Sequence, residues 1–204
     1  TADPRIVPEA HILEGLTYTE AAEIIQQGAK VIHDIAMNIA REYRVPLRVR
    51  SLNDEGKGTL ICDIRSMSKE GLRLFSQDRT VYSIAFRKGL AQFRVKLNGK
   101  KEDNLLMFQL LANKGISIDL INLFPDIVAF VVEENKALKV KEILEQEGFE
   151  LTLIYPCAKI SLVGSGMADR PGVVADMVEA LRDAGIEILQ TSDSHVTISC
   201  LVHA

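Results

Sequence analysis

No stretch of this 204-residue sequence stays apolar for the roughly 18 residues that a membrane-spanning helix needs. The opening TADPRIVPEA also lacks the basic-then-apolar order of a secretory signal. Together these absences set the expectation of a cytoplasmic protein without a membrane partner. Cysteine is scarce: Cys62, Cys157 and Cys200 are odd in number and widely spaced, which fits reduced thiols rather than a disulfide framework or a zinc site. Basic charge is not in excess either. With 24 Lys and Arg against 28 Asp and Glu, the formal net charge is −4 and the pI is near 5.6. The basic residues are dispersed, which gives no electrostatic case for a nucleic acid. His33 has no second ligand at a metal-binding spacing, so it reads as a solvent-facing or hydrogen-bonded helix residue and no metal is expected.

What is present is globular material. Hydrophobic residues make up 47% and charged residues 25%, enough for one or two domains with real cores. The first residue is Thr1 and not Met, so a fragment or processed piece is expected. Pro4 and Pro8 make residues 1–11 a loop. Thr19 is placed to cap a helix that carries Ala21, Ala22, Ile24 and Ile25 toward a stop at Gly28. A second helix is expected over 29–43, with Val31, Ile32, Ile35, Ala36, Ile39 and Ala40 as its apolar face. Leu47 to Leu52 alternates as a strand does, and Arg48 and Arg50 on one face read either as an anion contact or as a solvated edge. A short strand follows over 59–64, and 65–79 is polar and weakly periodic, a linker or loosely packed helix.

The most distinctive stretch is Lys159 to Met177, KISLVGSGMADRPGVVADM. Ile160, Leu162 and Val163 are strand residues, Gly164 and Gly166 permit a sharp reversal, Asp169 is placed as an N-cap, and Pro171 suits a first helical turn. A helix start facing a strand end leaves backbone N–H groups free, so this turn suits a small anion such as a carboxylate. A nucleotide site is disfavoured. Asp169 stands where Gly-x-Gly-x-x-Gly needs its third glycine, its charge would repel a pyrophosphate, and no Gly-Lys-Ser or Gly-Lys-Thr follows.

The chain also repeats. Ala91 to Val132 lies against Ala158 to Val202, offset by 67 residues at the first strand and 70 after the helix. Each copy reads strand, helix, strand, strand. In the first, Phe93, Val95 and Leu97 alternate, Leu106, Met107, Leu110 and Leu111 form a helical face, and strands run over 116–124 and 127–132. In the second, Val173, Met177 and Leu181 recur at four-residue spacing before strands over 186–189 and 196–202. The first copy continues with a helix over 137–148 and a strand over 150–155, giving βαββαβ, whereas the second has no counterpart. The strand over 81–86 belongs to neither copy and can fill the open edge. The expected fold is therefore α+β: two ferredoxin-like βαββαβ modules, one over 90–157 inserted in another made of 79–89 and 158–204. An α/β segment over 1–61 and a linker over 62–78 precede them.

Paired βαββ units, one with a Gly-x-Gly-x-x-x-x-Pro-Gly turn, resemble the tandem ACT domains of aspartate kinases. TADPRIVPEA at 1–10, GAKVIH at 28–33, VPLRVRS at 45–51 and GTLI at 58–61 resemble the end of that family's kinase domain. ILQTSDSHVTISCLVH at 188–203 resembles the diaminopimelate-sensitive bacillar type. The resemblance implies that 1–61 closes an amino-acid kinase catalytic domain and that the two modules are regulatory ACT domains. For the full-length enzyme it implies phosphorylation of L-aspartate by ATP with Mg. For the ACT modules it implies feedback by an end-product amino acid, diaminopimelate, lysine or threonine, and a homodimer formed through them.

The family's Lys-Phe-Gly-Gly-Thr-Ser segment and aspartate-binding residues are not in this chain, so no catalytic residue and no activity of the fragment alone are expected. A non-catalytic amino-acid-sensing regulatory subunit is the alternative. Asp3 and Arg5 carry over as the rim of the nucleotide site, or else form a Pro-fixed turn capped by Asp3. The effector residues carried over are Met167, Ala168, Asp169, Arg170, Pro171 and Gly172 with Gln190, Ser192 and Asp193. From the first copy come Asn98, Gly99 and Asp103 with Asp119 and Asn122. Taken singly, each also reads as a cap or turn residue. Two departures stand out: the family's His-Pro-Arg-Ala is His33, Asp34, Ile35 and Ala36 here, and Lys100, Lys101, Glu102 and Asp103 replace the Asp-x-Pro-Gly form in the first copy.

Overall fold

The computed structural model describes residues 2–29, 31–52, 56–63, 80–97, 103–167 and 170–204. The chain divides into two units, the first of which comprises Thr1–Phe86, Ser161–Val174 and Asp193–Ile198. In it, β1 (Gly15–Thr17) runs into α1 (Tyr18–Gln26), followed by α2 (Asp34–Glu42), β2 (Leu47–Val49) and β3 (Thr59–Cys62). β3 is the middle strand of three, parallel to β1 and antiparallel to β2.

Both helices begin at positions other than those the sequence pattern suggests. Thr17 caps α1, because Glu20 three residues on closes a capping box: the Thr17 hydroxyl accepts from the Glu20 N–H at 3.1 Å, and the Glu20 carboxylate accepts from the Thr17 N–H at 2.7 Å. Thr19 has Ala22 at that position and lies inside the helix. α2 starts only at Asp34, with His33 as its cap, Nδ1 accepting from the Ile35 N–H at 3.3 Å. The face it buries also differs from the expected one. Met37 and Ala40 join Leu13, Leu16, Tyr18, Ala21, Ile61, Tyr82 and Val163 in the core. Two residues along a helix turn a side chain by about 200°, so Ile35 and Ile39 point away from Met37. With Val31 and Tyr43 they are each more than half exposed.

The second unit comprises Arg87–Ile160, Ala175–Ser192 and Ser199–Ala204. The elements after β3 are β4 (Val81–Lys96), α3 (Asp103–Asn113), β5 (Asp119–Leu123), β6 (Ile127–Glu133), α4 (Ala137–Gln146), β7 (Leu151–Gly164), α5 (Val173–Asp183), β8 (Ile188–Asp193) and β9 (Thr197–His203). A 3-10 turn, Glu134–Lys136, leads into α4. The strands form one sheet in the order β5-β6-β4-β7-β9-β8. β4 is a single strand of 16 residues and β7 one of 14, where the sequence pattern suggests shorter separate strands.

Alternation along β4 and β6 makes two cores. Phe93, Val95, Val128, Phe130 and Val132 lie under Met107, Leu111, Val140 and Leu144, and the Phe93 and Phe130 rings stack with centroids 5.3 Å apart. Leu90, Leu120, Val131, Cys157 and Leu201 form a second cluster. α3 buries Met107 and Leu111 but leaves Leu106 exposed, so its apolar face is narrower than expected. β5 is shorter than expected and bulged: Asp119 pairs with Val131 but Asn122 with Ala129, and Leu120 between them has φ +47°.

α5 begins after the Pro171–Gly172 turn and not at Pro171, because the φ of +104° at Gly172 is not helical. The three cysteines are unpaired and buried. Apart from Cys62 and Asp63, the expected linker lies outside the described residues. Among the described residues no helix is long and apolar enough to cross a membrane.

Candidate functional site

The turn after β7 belongs to the first unit. The Gly164 N–H donates to the Val196 carbonyl at 2.9 Å and the Ser165 N–H to the Thr80 carbonyl at 3.1 Å. A Cβ on Gly164 would fall 1.7 Å from the Thr80 oxygen, so this glycine is needed for a close backbone approach. The reversal itself falls to Gly166, at φ +66° in open space. Met167 is buried and its carbonyl accepts from the Arg170 N–H at 3.2 Å, while the Arg170 guanidinium donates to the Thr80 hydroxyl. Pro171 and Gly172 are exposed, as is Asp193 at the end of β8. Ala168 and Asp169, with the cap expected of the latter, lie outside the described residues.

In the second unit the structure brings Asp119, Asn122 and Gln190 to the β5 bulge. One Asp119 carboxylate oxygen accepts from the Leu120 N–H at 2.8 Å, the other from Lys159 Nζ at 2.7 Å. Burial pushes the Asp119 carboxyl up. The hydrogen bond and charge of Lys159, the Leu120 N–H and the Arg87 charge outweigh it, so the group sits below the usual carboxylate range. The Lys159 side chain is 8% exposed against 45% for Asp119, so the pair has one dry and one wet partner.

Gln190 reaches the bulge from β8. Its Nε2 donates to the Leu120 carbonyl and, at 2.5 Å, to Asn122 Oδ1. Its Oε1 accepts from Gln92 Nε2 at 2.8 Å, and Gln92 Oε1 in turn accepts from Arg94 Nε at 3.1 Å. β5 and β8 are the two edges of the sheet, so these contacts mark its curl. Gln92, Arg94 and Lys159 are not among the residues the sequence singles out. Their one signal is a polar side chain inside a run of strand-forming apolar residues. Ser192 and Asp103 are half-buried, at β8 and at the start of α3, and Asn98 and Gly99 lie outside the described residues.

Asp3 and Arg5 face each other. The Arg5 guanidinium donates to the Asp3 carboxylate at 2.7 and 3.0 Å, and the Ile6 and Val7 N–H groups donate to the Asp3 carbonyl at 3.0 and 2.9 Å. The ion pair lowers the Asp3 carboxyl and raises the Arg5 guanidinium. Arg48 is likewise engaged, donating to the Lys57 carbonyl at 2.8 Å.

The ACT domain family matches residues 153–204 and the amino acid kinase family matches residues 1–51. Aspartokinase 1 of Bacillus subtilis is 41% identical over 204 residues, covering 100% of this chain and 50% of that protein. The chain thus spans about half the length of the curated relatives it matches. Among solved structures, the regulatory subunit of aspartate kinase from Thermus flavus is 30% identical with a TM-score of 0.57, over 61% of this chain and 89% of that one. E. coli aspartokinase III in complex with lysine and aspartate shares the fold, with a TM-score of 0.73 at 23% identity over 99% of this chain and 45% of that one. The fold is α+β, ACT regulatory domains in a curled antiparallel sheet preceded by a small α/β remnant of the kinase domain. The chain belongs to the aspartate kinase family and carries its regulatory ACT region behind a segment of the amino-acid kinase domain.

Proposed function

We propose that this chain is the amino-acid-sensing region of a cytoplasmic aspartate kinase. In the whole protein it would restrain ATP-dependent phosphorylation of L-aspartate to 4-phospho-L-aspartate when an end-product amino acid binds. The observation that carries this reading is the strand order. In a βαββαβ unit the first and third strands lie in the middle of four. Both β7-β4-β6-β5 and β4-β7-β9-β8 have that arrangement, and they share the two long strands. This supports one module over 90–157 and a second made of 79–89 and 158–204; that the pair meets a second copy of the chain is part of the proposal.

A zwitterionic ligand needs N–H donors for its carboxylate and acceptors for its ammonium. In the first unit, the amides opening α5 and the Asp193 carboxylate offer one of each. In the second, Gln190, Asn122 and Asp119 offer both. Lysine in the E. coli protein's structure gives the chemical class of the ligand. ATP and Mg would be held by the rest of the protein. Here only Asp3 and Arg5 stand as candidates for the nucleotide rim, and their charges neutralise each other, so no step of phosphoryl transfer is assigned to them. The likeness to the Thermus flavus regulatory subunit favours a second reading, a non-catalytic sensing subunit, and the kinase-family match over 1–51 weighs against it.

Titration calorimetry and thermal melts of the 204-residue chain with L-lysine, L-threonine and meso-diaminopimelate test the reading. At least one should bind saturably, and at a hundredfold excess over its Kd it should stabilise the chain by about 2.7 kcal/mol. Asp193→Ala should weaken that binding without unfolding the protein. Neither heat nor thermal shift with any of the three compounds would overturn the proposal.

A further inference from the structure

We propose that Arg94 and Gln92 are positioning residues that fix which way round the Gln190 amide faces, and so hold the strained β5 bulge in place. The inference rests on the effector-binding reading above for its consequence but not for its geometry. A guanidinium can only donate hydrogen bonds. Arg94 Nε therefore compels the Gln92 carbonyl oxygen to face it, at 3.1 Å. That leaves the Gln92 NH2 to face Gln190, where it meets Oε1 at 2.8 Å. The Gln190 NH2 is then turned to the only side left, where the Leu120 carbonyl and Asn122 Oδ1 accept from it. The relay runs in one direction: Arg94 fixes its start, and backbone carbonyls that can only accept agree with it, Leu189 at 3.4 Å from Gln92 Nε2 and Ala129 at 3.5 Å from Gln190 Nε2. Arg94 Nη2 also donates to the Leu189 carbonyl at 3.2 Å, which ties the start of the relay to the same strand as Gln190.

What the relay holds is costly to hold. Leu120 has φ +47°, a conformation that a residue with a branched side chain rarely adopts. The bulge breaks the β5–β6 register at this residue, which takes its backbone out of the regular ladder. Its N–H goes to Asp119 and its carbonyl to Gln190. Both Gln92 and Gln190 are buried, so the network is shielded from water. A ligand carboxylate arriving at Gln190 would meet an N–H donor and exchange places with the Leu120 carbonyl, releasing the bulge. An ammonium would meet the same donor and be rejected. In this way two residues with no ligand contact of their own set the polarity of the site.

The test is Gln92→Glu, which keeps the shape and the Arg94 contact but has no hydrogen to offer Gln190. The Gln190 amide must then turn its NH2 toward the new carboxylate and away from β5. In a 15N spectrum of the full chain, the Gln190 side-chain NH2 should exchange with solvent about tenfold faster than in the parent, the effect of losing one buried hydrogen bond. Arg94→Lys, which still only donates, should keep the slow exchange. Arg94→Gln, which can donate or accept, should lose it and serves if Gln92→Glu does not fold. Unchanged Gln190 exchange in a folded Gln92→Glu or Arg94→Gln chain overturns the relay, as does equal loss in Arg94→Lys. For whichever of L-lysine, L-threonine or meso-diaminopimelate binds the parent, Gln92→Glu should raise the Kd about tenfold or more, and an unchanged Kd overturns the link to the ligand. If none binds the parent, the effector reading fails while the exchange measurement still decides the relay.

Discussion

The two glycines of the Gly164-Ser165-Gly166 turn should respond very differently to the same substitution. Replacing Gly164 by Ala puts a Cβ 1.7 Å from the Thr80 carbonyl oxygen, 2.8 Å from the Thr80 carbonyl carbon and 3.0 Å from the Met167 sulfur. Ordinary contact begins near 3.4 Å, so the two backbones would have to part by about 1.7 Å. The obstacle is main chain, which cannot swing aside as a side chain does. Parting the strands sacrifices the Ser165-to-Thr80 hydrogen bond and strains the Gly164-to-Val196 bond on the other side. Two backbone hydrogen bonds at about 1 kcal/mol each, with the overpacking strain of a close-packed site, give a loss of about 3 kcal/mol or more.

Gly166 has nothing within 4 Å of its virtual Cβ, and its φ is +66°. Ala there meets only the left-handed penalty, about 1 kcal/mol. Urea denaturation of Gly164→Ala, Gly166→Ala and the parent chain measures both. Equal losses for the two, or a Gly164→Ala loss below that of Gly166→Ala, would refute the close-approach argument. They would return Gly164 to the role of a turn residue.

Two further outcomes follow from the second unit. Phe130→Ala removes a fully buried ring stacked on Phe93 and should cost about 3–5 kcal/mol by denaturant unfolding, with backbone relaxation accounting for any smaller loss. The Asp119 carboxyl is held below its unfolded value of 3.8, so its contribution is present above that pH and is lost as pH falls through the lower folded value. The gap in urea midpoint between the parent and Asp119→Asn should therefore be constant above about pH 5 and close in stronger acid, and a gap that ignores pH would remove the Lys159 pair as its cause.

Much of the architecture was legible because it rests on short-range rules. The helices over α1, α3, α4 and α5 follow from apolar spacing and glycine stops, and the repeated strand-helix-strand-strand pattern follows from comparing two stretches of the chain. The misreadings have identifiable causes. Thr19 and Thr17 are equivalent as caps until the partner acid is counted, and only Thr17 has Glu20. In α2 the sequence has two apolar stripes, and the one with more isoleucine is the one left outside. Alternation marks Phe93, Val95 and Leu97 as one face and assigns nothing to Gln92 and Arg94 between them, and reading the polar positions as solvated holds only for a sheet with one wet face. Here the other face carries Leu90, Val131 and Leu201 as a core of its own, and Gln92 is buried beside them. Gln190 and Asn122 were named from the sequence, and they meet at 2.5 Å. The bulge that joins them could not be read, because a left-handed Leu120 leaves no trace in residue type.

The outer stripe of α2 has a practical side. Ile35 and Ile39, with Val31 ahead of the helix and Tyr43 at its C-cap, recur every four residues and are all open to solvent, while Met37 and Ala40 supply what the unit's core takes from this helix. The colloidal behaviour of the chain is thereby separated from its stability. Salts that are excluded from protein surfaces act on exposed apolar area, so sulfate should bring this chain out of solution through such side chains, that stripe among them, while leaving the fold itself tighter. A preparation that clouds in sulfate is then a folded protein associating through exposed apolar side chains and not an unfolding one.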